Sequence, residues 1–232
     1  LIVLPFFILF LLTVLPRFTV PYELEWMEGQ SAEQAWRFAQ GEPLYPAPGS
    51  NWVPYMYSPL YHVAFGGLMK VSGVWSLAWG RWISLLSSIA TGAAILMLVF
   101  DRTRRLAPAV FAGLLYFAYF KPTGFWYDIV RVDAFAFALG AWGMYLALKR
   151  KPRGWQAFLA MLLLFAAVMA KQSLGFIALA CGIFLLFKNT RAALVGGVVV
   201  LLMLANILFI MPRTGNDGFL HYVWHNALNH PP

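Results

Sequence analysis

The chain is 232 residues long, 61% hydrophobic and only 11% charged, far below the roughly 25% charged residues of a soluble domain. Its formal net charge of +8 sits in three short loops, residues 101–105, 149–153 and 188–191, and the rest sums to zero. That distribution is the positive-inside pattern of a membrane protein and excludes a polyanion-binding face, so no nucleic acid is expected as a partner. The single cysteine, Cys181, rules out an intrachain disulfide.

Several apolar runs reach the roughly 20 residues that cross a bilayer. The expected fold is all-α: a polytopic membrane protein with about seven transmembrane helices and further interfacial helices in the first extracytoplasmic loop. The first span covers residues 1–20. A polar loop, 21–76, follows and carries five of the nine acidic residues, Glu23, Glu25, Glu28, Glu33 and Glu42. Within it, Ala32, Ala35, Trp36 and Ala39 recur at helical spacing, which predicts an amphipathic helix over 28–40. An i,i+4 pair of Glu33 with Arg37 would support it, and Gly41 and Pro43 would stop it. Residues 45–57 are rich in proline and aromatics and read as loop. Residues 58–70 open on a serine cap and a proline at the first helical position, but about 13 residues make only about 20 Å of helix, too short to span. They read as an interfacial helix.

The remaining spans are 77–100, 106–120, 129–148, 155–170, 173–187 and 192–211, with Trp75, Trp79 and Trp82 as an interfacial belt. One orientation puts the three basic loops on the cytoplasmic side and every acidic cluster opposite. The chain starts without Met inside an apolar run and stops in a polar loop, so residues 1–232 read as one membrane domain of a longer protein.

Ionisable residues at or near membrane depth are costly and by default functional. Asp128, Arg131 and Asp133 open a span in WYDIVRVDAFAF. Asp128 and Arg131, three apart, can pair on one helical face, whereas Asp133 points elsewhere and lies a turn deeper. Glu25 and Glu28 are also three apart. Together they can act as a general base, one raising the pKa of the other, or hold a divalent cation through oxygen ligands. A solvated acidic loop is the plain alternative. Lys171 ends a span in MAKQSLGF, where a lone cation suits a phosphate headgroup or snorkels to lipid. Arg81 has the same two readings. His62 in YSPLYH can serve as acid or base or simply pack. His221, His225 and His230 lack the spacing of a full metal site, although His221 and His225 are four apart. No nucleotide-loop, nucleophile-elbow or paired-cysteine motif is present.

The order of these features resembles the amino-terminal half of C-type membrane glycosyltransferases, the group that includes protein O-mannosyltransferases and the lipid A aminoarabinose transferase. The matching residues are Glu28-Gly29 after the first span, the GEPLY at 41–45, the YSPLYH segment, the Arg81-led span, Arg131 with Asp133, and Lys171-Gln172. The resemblance covers nearly the whole chain on short motifs. It departs from the group where Met27 replaces the first acid of an Asp-Glu pair, which leaves the base role open between Glu25 and Glu28.

The resemblance implies transfer of a sugar from a polyprenyl phosphate-sugar lipid to a glycan, lipid or protein acceptor, on the extracytoplasmic side of the plasma membrane. It implies Glu28 or Glu25 as base, with Asp133 as its partner. Lys171 would contact the donor phosphate, with Arg131, Asp128, Gln172 and His62 nearby. No cofactor is required by it beyond, at most, a divalent cation. A transporter or lipid flippase is the rival reading, and a non-catalytic membrane scaffold a third.

Overall fold

In the computed structural model, which describes residues 2–226, the chain folds into helices and connecting loops, with no strand among the described residues. The helices are α1 (Leu4–Val14), α2 (Met27–Ala39), α3 (Leu60–Ser72), α4 (Leu77–Thr103), α5 (Leu106–Ala118), α6 (Val132–Ala147), α7 (Gly154–Ala170), α8 (Gly175–Lys188) and α9 (Thr190–Arg213). Two of them, α4 with 27 residues and α9 with 24, are long and apolar enough to cross a membrane. The apolar helices α1, α5, α6, α7 and α8 are shorter, from 11 to 17 residues.

Local chemistry sets these boundaries. α1 ends before Pro16 and tightens into a 3-10 turn, Leu15–Thr19, so the expected first span is α-helical over little more than half its length. α4 starts on a serine cap, the Ala78 N–H donating to Ser76 Oγ at 3.2 Å, and α9 starts on Asn189, whose Oδ1 accepts from Ala192 N at 3.3 Å. The expected Ser58 cap of α3 does not form: Pro59 occupies the capping position and no side chain closes it. Nor does Glu33 pair with Arg37. Arg37 reaches Glu42 beyond the helix end instead and lies 4.9 Å from the Trp52 ring centre. α6 starts at Val132, three residues later than the apolar run suggests, because the bent segment before it is held by side chains from elsewhere, Glu28 accepting from Val130 N–H and Ser88 donating to the Tyr127 carbonyl.

Small residues let the helices approach closely. On α2, Ala32, Ala35 and Ala39 face Tyr61, Phe65 and Met69 of α3, with Leu77, Val130 and Val132 completing the cluster. A methyl group on Gly66 would collide with the Ala35 carbonyl oxygen and come within 2.8 Å of the Phe38 ring. α4 crosses α5 at Gly92 and Gly113, where a methyl on Gly113 would sit 2.9 Å from the Gly92 carbonyl oxygen. α6 lies between α4 and α7, and α7 in turn against α8 and α9. Most of α9 is exposed; Ala193 and Gly196 are its buried residues.

The contacts sort the helix ends into two groups. The starts of α4 and α6, the end of α7, all of α2 and α3 and the segment after α9 gather at one end. The ends of α4 and α6 and the start of α7, which carry the basic residues, gather at the other.

Candidate active site

Glu28 sits in the first turn of α2, where the helix dipole favours an anion. It is fully buried, and its partner is Arg81, also fully buried, five residues into α4. The pair is bidentate: Arg81 Nε donates to Oε1 at 3.1 Å and Nη2 to Oε2 at 2.9 Å. Two backbone amides fill the remaining lone pairs, Val130 N–H at 2.8 Å to Oε1 and Leu24 N–H at 2.6 Å to Oε2. Arg81 spends its other donors on the carbonyls of Arg17, Val20 and Tyr22, at 2.6 to 2.8 Å. One ion pair therefore ties the exit of α1, the start of α2, α4 and the segment before α6. Gly29 belongs to the same arrangement, since the Glu23 carboxylate lies where its Cβ would be.

A second line of charges lies at the same end. Asp133, in the first turn of α6, accepts from Arg131 Nε at 3.2 Å and from Lys171 Nζ in a short contact. Lys171 caps the C-terminus of α7, so acid and base each occupy the helix end whose dipole suits them. Arg131 Nη1 lies 3.4 Å from Glu25 Oε1, while Glu25 Oε2 accepts from Met27 N–H at 3.0 Å. The order Glu25, Arg131, Asp133, Lys171 thus alternates in sign. Its two ends are open, Glu25 being 18% and Lys171 22% exposed at the side chain, against 8% for Arg131 and 11% for Asp133.

The proline-aromatic loop forms a wall beside this line. Tyr55 N–H donates to the buried Gln34 at 3.1 Å, Tyr45 OH donates to the Tyr57 carbonyl at 2.6 Å, and Gln172 Nε2 donates to the Met56 carbonyl at 2.6 Å and the Val223 carbonyl at 3.2 Å. Burial pushes the Tyr55 phenol up to about 12, helped by the nearby Glu25 charge. Burial followed by Asp133 raises Tyr57 as well. Lys171 Nζ stands 5.8 Å from the Tyr57 ring centre and the Arg131 guanidinium 4.0 Å from that of Trp126, distances at which an aromatic face attracts a cation.

Of the residues singled out from the sequence, Glu25, Arg131, Asp133, Lys171 and Gln172 come together. Glu28 adjoins them from below. Asp128 does not pair with Arg131: residues 128–131 are not helical, and Asp128 turns to Arg17, whose Nη1 lies 2.9 Å from Oδ1. Burial lifts the Asp128 carboxyl to about 6, with the Arg17 charge opposing the rise. His62 is fully buried beside Tyr61, and burial holds its imidazole down to about 3, hence neutral. His221 and His225 bracket a π-helical turn and are exposed; His230 lies outside the described residues. Among the described residues no three His, Cys, Asp or Glu side chains converge as metal ligands. Of the two carboxylates in the charged line Glu25 is the more exposed, and each is already matched to a cation.

The sequence reading missed Arg17 and Gln34 and left Arg81 open. Arg17 follows Pro16 near the end of the first span, and its partner is 111 residues away. Gln34 carried no local signal beyond a polar position on an otherwise apolar helix face. Arg81 did carry one, a lone arginine opening a long apolar span. Compared with known proteins, the chain matches no family model, no curated protein and no solved structure.

Proposed function

We propose that this chain is the amino-terminal part of a C-type membrane glycosyltransferase that moves a sugar from a polyprenyl phosphate-sugar lipid to an acceptor hydroxyl. The observation that carries this reading is the alternating line Glu25, Arg131, Asp133, Lys171 at one end of an apolar helix array. Inverting transfer forms a bond between the acceptor oxygen and the sugar anomeric carbon and breaks the bond to the phosphate oxygen. The acceptor proton must go to a base, and the leaving phosphate needs cations. Glu25 is the base in this scheme: one of its oxygens faces only Arg131, at 3.4 Å, while all four acceptor positions of Glu28 are filled. Lys171 and Arg131 take the phosphate, with Asp133 as the counter-ion that holds both cations in place before the donor arrives. Glu28 and Arg81 are positioning residues.

In the same reading the apolar helices make seven crossings of the plasma membrane, with the charged line on the extracytoplasmic side. A transporter would place its polar groups near the midplane of broken helices; here they cluster at helix ends. The test is sugar release from polyprenyl phosphate donors by membranes carrying the protein. Glu25→Gln is expected to lose about 100-fold or more of turnover, the usual contribution of a general base, and Lys171→Gln to weaken donor use. Undiminished turnover in Glu25→Gln would overturn the assignment.

A further inference from the structure

A cluster of basic side chains lies at the opposite end of the helices from the candidate active site. There the ends of α4 and α6 and the start of α7 enclose a cavity of about 480 Å³. Along α6 its lining residues Tyr145 and Leu148 lie 12 and 15 positions beyond Asp133, about 18 to 23 Å of helix. Six bases line it: Arg102, Arg104, Lys149, Arg150, Lys151 and Arg153. The one acid in the lining, Asp101, is already engaged. Its Oδ2 accepts from Tyr145 OH at 3.2 Å and lies 3.7 Å from Lys149, and its Oδ1 lies 3.7 Å from Arg104. Arg150, Lys151 and Arg153 have no ion-pair partner among the described residues.

We infer that this cavity binds the phosphate of an anionic lipid headgroup. Basic loops on the cytoplasmic side are common in membrane proteins, but this cavity goes beyond a general excess of charge. The bases belong to two separate loops yet converge on one concavity. Arg102 is fixed by donating to the Leu148 carbonyl, and the Arg153 N–H donates to Gln156 Oε1 at 3.0 Å. Arg104 ends α4 with φ +54°, a left-handed conformation that costs a non-glycine residue energy and that positions it at the cavity wall. The start of α7 adds its dipole to the same space. Leu98 and Leu148 also line the cavity, so a ligand with an apolar part beside its phosphate fits better than a free anion.

The experiment reconstitutes the full chain into vesicles of phosphatidylcholine with phosphatidylglycerol, re-extracts it in mild detergent and counts retained phosphatidylglycerol by native mass spectrometry. The variant Arg150→Gln/Lys151→Gln/Arg153→Gln is compared with Arg105→Gln/Lys188→Gln/Arg191→Gln, which removes the same charge from basic residues outside the cavity lining. The cavity variant is expected to lose about tenfold or more of the retained lipid, since each basic side chain near an anionic headgroup contributes severalfold, and the control to lose little. Equal loss in both, or equal retention of phosphatidylcholine and phosphatidylglycerol by the unmodified chain, overturns the proposal. A parallel arm adds inorganic phosphate to the chain in phosphatidylcholine alone. Thermal stabilisation there that vanishes in the cavity variant, with no retention of phosphatidylglycerol, would assign the cavity to free phosphate and overturn the lipid source.

Discussion

Two carboxylates three residues apart meet different fates. Glu28 turns inward and is matched atom for atom by Arg81 and two backbone amides; Glu25 stays at the edge with one arginine for company. Removing one partner of a buried pair strands the other charge, at a cost of about 3 to 5 kcal/mol. Glu28→Gln and Arg81→Met are each expected to lower thermal stability in detergent by that amount, and Glu28→Leu combined with Arg81→Leu to recover part of it. A Glu28→Gln protein as stable as the original would sink the clamp. Asp128 gives a pH signature. Its folded pKa, about 6, lies above the ordinary 3.8, so the folded state holds the proton more tightly. Stability from this group is greatest below about pH 4, declines as pH rises to about 6 and is level above that. Asp128→Asn should flatten the stability profile between those values; an unchanged slope would assign it to another group.

At the scale of elements, glycines and alanines set how near the helices lie. The crossing of α2 on α3 works because Gly66 leaves room for the Ala35 carbonyl. Gly66→Val is expected to destabilise by about 1 to 3 kcal/mol, the usual penalty of overpacking, and to loosen the proline-aromatic loop that α2 anchors through Gln34. Thermal unfolding reports the first effect and faster hydrogen exchange at Tyr55 N–H the second. Gly67, one residue on, has open space where its Cβ would be, and Gly67→Val serves as the matched control with little loss.

Across the whole molecule, the proposed orientation puts the acidic loop and the basic loops on opposite sides. In a Cys181→Ala background, a cysteine at Ser50 is expected to react with an impermeant thiol reagent from outside intact cells, and one at Lys151 only after the membrane is opened. Labelling of both from the same side would refute the orientation. The helical fold, the amphipathic α2, the loop over 45–57 and four of the residues on the charged line were legible in the sequence, because apolar run length, helical spacing and misplaced charges are local signals. The partners of those charges were not. Arg81 reaches Glu28 across 53 residues and Lys171 reaches Asp133 across 38, and nothing in a single sequence marks such pairs. The late start of α6 was hidden for the same reason, since Val130 N–H is taken by Glu28 from another element.

The wall beside the charged line is tied down by a segment made long after the wall itself, the residues that follow α9. Tyr45 N–H donates to Asn216 Oδ1 at 2.9 Å across 171 residues, and the Val223 carbonyl receives Gln172. At about 5 to 20 residues per second of synthesis, roughly 10 to 30 seconds separate Tyr45 from Asn216 as they leave the ribosome. Through that interval the aromatic loop has no anchor from the segment after α9. Until α9 and the residues after it are in place, the Tyr45 N–H and one donor of the Gln172 amide lack these partners, and the wall is incomplete.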